Sequence, residues 1–321
     1  MTGKAKENPI KVGISTCLLG QKVRYDGGHK HDRYITDILG PYFQFVPICP
    51  ELEVGMGVPR EAVRLEGDPE NPHMVGNRSG EDWTERMNRY SERRVARRDV
   101  AGLCGYILKK DSPSCGMERV KLYLTADNVQ RKAVGLFARA LRTRWPHLPV
   151  EEEGRLNDPR LRDNFIVRVF AYYRLQQLYR GRFGRDAMIR FHANHKYLLL
   201  AHSPKHYTEM GRLVAAIKQY PPEDFRDAYR ALFMDGLAVL STTKKNVNVL
   251  QHILGFLKKL VTAEEKKDLL GTIEDYHRGI VPLIVPITLI RHYVNKFDVA
   301  YIRDQVYLNP HPKELMLRNH V

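Results

Sequence analysis

"IKVGISTCLLG", residues 10–20, opens as a short run rich in apolar and β-branched residues, with its cysteine at position 17. Such a run reads as a buried strand followed by a turn. The pattern returns twice. "YFQFVPICPELEVGMGVPR" (42–60) leads to Cys49 and Pro50, and "VAGLCGYILKKDSPSCG" (100–116) leads to a polar turn that holds Cys115. Helix-compatible stretches lie among these runs. "EDWTERMNRYSERRVARRDVAG" (81–102) carries a basic face, and the spacing in "NVQRKAVGLFARALRTRWP" (128–146) predicts one amphipathic helix ended by Pro146. Strands alternating with helices predict a parallel α/β sheet, whose carboxyl-end loops gather on one ligand-binding edge. Cys17, Cys49 and Cys115 can converge there. Cys104 lies inside its predicted strand and is expected to be buried and structural.

The chain has 321 residues, enough for two domains, and 43% of them are hydrophobic. "PVEEEGRLNDPRLRDNF" (149–165) is polar, carries turn signals and is expected to be the domain junction. Beyond it apolar residues recur at helical spacing, which predicts an all-α bundle of six or more helices over 161–321. No stretch reaches membrane-spanning length. "IVPLIVPITLI" (280–290) is too short and is broken by Pro282 and Pro286. The opening "MTGKAKENPIK" has no apolar signal core, so a cytoplasmic protein is expected.

Net charge is +15, divided as +5 over residues 1–160 and +10 over residues 161–321, and the second half also holds nine of the thirteen histidines. That balance suits a phosphate-rich partner, and it suits equally a soluble basic protein without one.

All four cysteines fall within the first 115 residues, and no C-x-x-C occurs among them. A reducing compartment disfavours disulfides. Three thiolates meeting at one edge can bind zinc or an iron–sulfur cluster. His29 and His31, in the glycine-containing loop "RYDGGHKHD" (24–32), are available to complete a zinc site. A [4Fe–4S] cluster on three cysteines instead leaves one iron as a Lewis acid open to a soft atom such as sulfur. Glu51, two residues from Cys49, is a candidate proton donor. Ser112 and Ser114 can orient a carbonyl or relay a proton, or simply build the turn. Lys109 and Lys110 stay open between substrate, phosphate and solvent.

Together "STCLLGQKVRYDG", "CPELEVGMGVPR" and "LKKDSPSCG" resemble the thiouracil desulfidase family, over roughly residues 10–155. The resemblance implies a Rossmann-like α/β domain with a [4Fe–4S] cluster on Cys17, Cys49 and Cys115. It implies a carboxylate at Glu51 and a catalytic serine at Ser112, with Ser114 a second match. Arg24, Asp26 and Lys110 are then candidates to bind substrate.

The second half resembles the helical domain fused to that domain in bacterial tRNA 4-thiouridine desulfidases. Its partner would be tRNA, with no membrane and no obligate protein partner. A stacked base must be extruded to reach a protein cleft, and phosphate contacts offset that cost. Candidate contacts are His192, His195 and Lys196 on one helical face, with Lys205, Lys244 and Lys245. Arg93 and Arg97 extend the surface from a helix that also carries Arg86, Arg89, Arg94 and Arg98. Desulfidation of free thiouracil or thionucleosides, and an iron–sulfur RNA-binding protein without activity, are the competing functions.

Overall fold

The structure is a computed structural model that describes residues 9–125 and 127–319; most of the N-terminal stretch read above for a signal lies outside them. The chain divides between Asn157 and Asp158 into two compact units. The first contains eight strands among the described residues: β1 Ile10–Ser15, β2 Phe43–Ile48, β3 Val63–Gly67, β4 Pro72–Gly76, β5 Gly105–Leu108, β6 Val120–Tyr123, β7 Val129–Ala133 and β8 Val150–Glu152. Its helices are α1 Pro50–Glu53, α2 Thr84–Val95, α3 Arg98–Ala101 and α4 Leu136–Arg144.

A parallel sheet runs in the order β2-β1-β5-β8. Val12, Ile14, Tyr106 and Ile107 have no exposed surface, as expected for strands covered on both faces. Gly13 is required at the centre, because a Cβ there would lie 2.2 Å from the Tyr106 ring. The strand order reverses between β1 and β5, so the ends of those two strands flank a topological switch point. Cys104 is 2% exposed and stands just before β5 rather than within it, its N–H donating to Lys11 O at 2.7 Å.

A second sheet, ordered β4-β3-β6-β7, was not foreseen. Its strands carry charged residues on one side, so only single apolar residues mark them in the sequence. Leu65, Met74, Leu122 and Ala133 form the inner side and meet Met87 of α2 and Leu136 of α4. The helix predicted over 128–146 is corrected here. Its first residues form β7, antiparallel to β6, and the helix starts only after Gly135. A side chain at Gly135 would lie 2.5 Å from the Ser114 backbone, so glycine lets α4 close onto the 112–116 turn. Gly135 N–H donates to Gly116 O, Leu136 N–H to Pro113 O and Ala138 N–H to Ser114 O.

The stretch expected to be the junction begins with a strand. Glu151 and Glu152 lie in β8, each 6% exposed. Glu152 accepts from Met117 N–H at 2.7 Å, and Glu151 holds Arg155 at 2.6 Å. These carboxylates mimic a polar linker in sequence but satisfy buried donors at the sheet edge.

The second unit is helical, as expected: α5 Pro159–Arg180, α6 Arg185–His202, α7 Pro204–Ala215, α8 Pro222–Ala238, α9 Thr243–Leu257, α10 Ala263–His277, α11 Ile284–Lys296 and α12 Ala300–Arg303. Asp158, Ser203 and Thr242 cap α5, α7 and α9, and Thr262 with Glu265 forms a capping box on α10. Phe165, Phe225, Tyr229 and Phe233 are fully or almost fully buried in its core. Among the described residues no helix is long and apolar enough to cross a membrane.

Candidate active site

Each cysteine-bearing turn leaves the carboxyl end of a parallel strand. Cys17 lies in the tight turn after β1, Cys49 precedes α1, and Cys115 follows β5 by way of the polar turn. All three line one cavity of about 390 Å³. That volume lies within the range of small-molecule sites. Burial pushes the Cys17 thiol up to about 11, against a lowering influence from Lys109. It raises Cys49 as well, and it raises Cys115 most, against hydrogen bonds from Ser15 and Ser114. Such thiols become ligands only when a cation displaces their protons.

Glu51 is held from both sides. Arg60 donates to its Oε2 at 2.6 Å, with exposures of 6% and 14% for the two side chains. Ser114 Oγ donates to Oε1 at 2.7 Å, and Ser112 Oγ approaches the same oxygen at 3.3 Å. The two hydroxyls are 3.0 Å apart. Ser114 Oγ also stands 3.6 Å from Cys115 Sγ. Ser112 Oγ accepts the N–H groups of Ser114 and Cys115, so it builds the turn and reaches the carboxylate at once. The structure thus brings Glu51, Ser112 and Ser114 together with the three cysteines.

The remaining sequence candidates separate. Arg24 and Lys110 line the cavity. Asp26 does not line it. Its carboxylate closes the loop on Gly28 N–H at 2.9 Å and faces Arg24 at 3.5 Å, and the Gly28 bond holds its pKa below the usual range. His29 and His31 are likewise outside the lining; His31 faces Thr36 at 3.0 Å. Of the lysine pair, Lys109 is the inner one, bound to Glu153 at 2.5 Å and lowering the Cys17 thiol, while Lys110 is exposed. Sequence reasoning missed Arg60, which ended the motif carrying Glu51, and Ser15, whose hydroxyl accepts from Lys109 N–H at 2.9 Å.

Several candidate phosphate contacts need correction. His195 is 3% exposed, stacks on Phe191 and uses Nδ1 on the Phe191 carbonyl at 2.7 Å; burial lowers it to about 3. His192 beside it is lowered to about 4, first by burial and then by Lys196. Both are uncharged near neutral pH, and His195 does not reach solvent. Lys196 lies between the rings of Tyr197 and Tyr301, at 4.9 Å from each. Lys245 turns inward and donates to His202 O at 2.6 Å and to Leu240 O at 3.2 Å. Lys205 and Lys244 are exposed. Arg93 and Arg97 are exposed, whereas Arg94 is buried on Glu53 and Asp99.

The donor set fits a cluster better than a single ion. Among the described residues no group of three or more His, Cys, Asp or Glu is close enough to hold one metal ion. A tetrahedral zinc draws its sulfur ligands to roughly 2.3 Å from one point. A cluster presents separate iron corners to separate cysteines. Three cysteines around one cavity match the second demand.

Comparison with known proteins follows the same division. Residues 12–153 match the family described as 2-thiouracil desulfurase, and residues 196–312 match the family described as DUF1722, of unknown function. The uncharacterized protein YbgA of Escherichia coli (strain K12) is 30% identical over 165 residues, covering 51% of this chain and 98% of that protein. The uncharacterized protein YbbK of Bacillus subtilis (strain 168) is 32% identical over 108 residues, covering 32% of this chain and 71% of that protein. Among solved structures, the [4Fe-4S]-dependent thiouracil desulfidase TudS matches at 31% identity with a TM-score of 0.39, covering 46% of this chain and 94% of that one.

Proposed function

The chain belongs to the 2-thiouracil desulfurase family, and from that premise we propose that it is a [4Fe–4S]-dependent desulfidase that converts 4-thiouridine in tRNA to uridine and sulfide. The observation that carries this reading is the meeting of Cys17, Cys49 and Cys115 with the Glu51–Ser112–Ser114 network in one cavity.

Cys17, Cys49 and Cys115 are the residues that would hold the cluster. When bound, it supplies one iron without a protein ligand, a Lewis acid suited to a thiocarbonyl sulfur. Glu51, kept in place by Arg60, takes a proton from the attacking water and returns it to the leaving group. Ser114 and Ser112 orient that carboxylate and offer hydroxyls to the base. Water oxygen replaces sulfur at the ring carbon, sulfur leaves as HS−, and Glu51 takes the remaining hydroxyl proton as the carbonyl forms and passes it to solvent. The exchange balances without an oxidant or reductant. Cations at Arg24, Lys109 and Lys110 around the cavity favour an anionic leaving group.

The tRNA substrate draws its support from the second unit, which carries most of the excess charge. Exposed Lys205 and Lys244, with Arg93 and Arg97 of the first unit, are the residues proposed to contact phosphate. The extrusion cost of a stacked base explains why a desulfidase would retain an RNA-holding partner domain.

The test is anaerobic incubation of the cluster-loaded protein with tRNA, then digestion and quantification of 4-thiouridine. Conversion to uridine with release of sulfide is expected. Unchanged 4-thiouridine in the presence of an intact cluster would sink the proposal. Faster turnover of free thiouracil than of tRNA would shift the substrate to the small molecule.

A further inference from the structure

The cavity has a wall that the Glu51 network does not use. Arg64 and Tyr123 both line it, and the Arg64 guanidinium carbon lies 5.5 Å from the Tyr123 ring centroid. They come from the second sheet. Leu65 pairs with Leu122 and Glu66 with Tyr123 across β3 and β6, and both leucines are fully buried. Alternation therefore turns Arg64, Lys121 and Tyr123 to the outer side of that sheet. On the same sheet lies a further cavity of about 720 Å³, and Arg64 and Tyr123 line this one too. Arg64 and Tyr123 thus border both cavities.

The charge of the catalytic cavity suits RNA, while the outer cavity also holds Asp82 and Glu66, the latter paired with Arg64 Nε at 2.5 Å. The catalytic cavity is lined by Arg24, Lys30, Arg64, Lys110 and Lys121 besides the inner cations, against two carboxylates, Glu51 and Asp111. An arginine laid on a tyrosine ring is a flat cationic surface, a common form of single-strand recognition. A free thiopyrimidine fits one cavity and does not need the second.

We infer that Tyr123 with Arg64 is the platform for the nucleotide next to the reacting base, so that the outer face of the second sheet selects RNA over free base. The inference rests on the desulfidase reading, and its test separates the two. Turnover of 4-thiouracil and of 4-thiouridine-containing tRNA is measured for wild type, Tyr123→Ala, Tyr123→Phe and Arg64→Ala, alongside equilibrium binding of the same tRNA.

Tyr123→Ala is expected to lower kcat/KM on tRNA by about tenfold more than kcat/KM on 4-thiouracil. Tyr123→Phe keeps the ring and should keep the tRNA rate. Arg64→Ala should weaken tRNA binding and reduce its salt dependence by about one counterion. Equal losses on both substrates, or unchanged tRNA turnover and binding in Tyr123→Ala, would overturn the inference. A wild-type protein silent on both substrates would sink the parent reading instead, and tRNA binding by Tyr123→Ala would then decide this one.

Discussion

Ser114 Oγ donates to Glu51 Oε1 at 2.7 Å, which makes the hydroxyl beside Cys115 and the carboxylate near Cys49 one hydrogen-bonded unit. Ser112 completes it, 3.0 Å from Ser114. Groups that act as a unit lose activity non-additively. Ser114→Ala is expected to lower kcat by about 100-fold, within the range for positioned acid–base groups. The Ser112→Ala/Ser114→Ala double variant should be little worse than Ser114→Ala alone. Multiplying losses in steady-state rates would show two independent roles.

Arg60 is the second anchor of Glu51. It also donates to Val23 O at 3.1 Å and Gly57 O at 2.9 Å, so one guanidinium joins three parts of the site. Removing one partner of a nearly buried ion pair leaves an uncompensated charge, a loss of about 3 kcal/mol. Arg60→Ala should therefore lower urea stability by about that much and lower kcat as well. Arg60→Lys should recover part of the stability, since it restores the charge but not the fork. A urea midpoint for Arg60→Ala equal to wild type would remove the pair from the support of the fold.

The cysteine turns were legible because each follows a compact apolar run, and parallel strands put such turns on one edge. Arg60 and Ser15 were invisible as site residues. Their roles arise from contacts across the fold, not from local pattern. The second sheet was hidden for a different reason. In "VKLY" and "VRLEG" charged residues of the outer face alternate with a few apolar ones of the inner face, and β7 begins a stretch whose later part is a true helix. Histidines at helical spacing looked like a basic face, but His195 points into an aromatic core with Phe191 and Phe233. Spacing tells which residues share a face; burial decides whether that face meets phosphate or protein.

Lys244 and Lys245 are neighbours at the start of α9 with opposite surroundings. Lys244 is exposed, and Lys245 caps two backbone carbonyls. Lys244→Ala is expected to weaken tRNA binding and reduce the salt slope by about one, with unchanged thermal stability. Lys245→Ala should lower stability by about 1–2 kcal/mol through the lost charged hydrogen bonds. Its salt slope should stay at the wild-type value. The reverse pattern in a salt titration paired with melting curves would reassign the phosphate contact to Lys245.

The buried histidines make acid the selective enemy of the helical unit. His195 is lowered to about 3 by burial, and His202 to about 4 by burial against the raising effect of the Val239 carbonyl. Arg174 and His192 face the first; Asp163, Arg318 and Lys245 face the second. Unfolded histidine takes its proton near its ordinary value of about 6.5. Below that pH the unfolded state binds more protons than the folded one. The stabilisation is therefore full above about 6.5 and is lost as pH falls toward the folded values. Both tryptophans, Trp83 and Trp145, lie in the first unit, so their fluorescence follows that unit, while far-ultraviolet circular dichroism follows mainly the helices. Between pH 7 and pH 5 the dichroism midpoint in urea should fall more than the fluorescence midpoint. His195→Asn, whose amide can still donate to the Phe191 carbonyl, should flatten that fall. A dichroism midpoint that is independent of pH in this window would show that neither imidazole is held neutral by the fold.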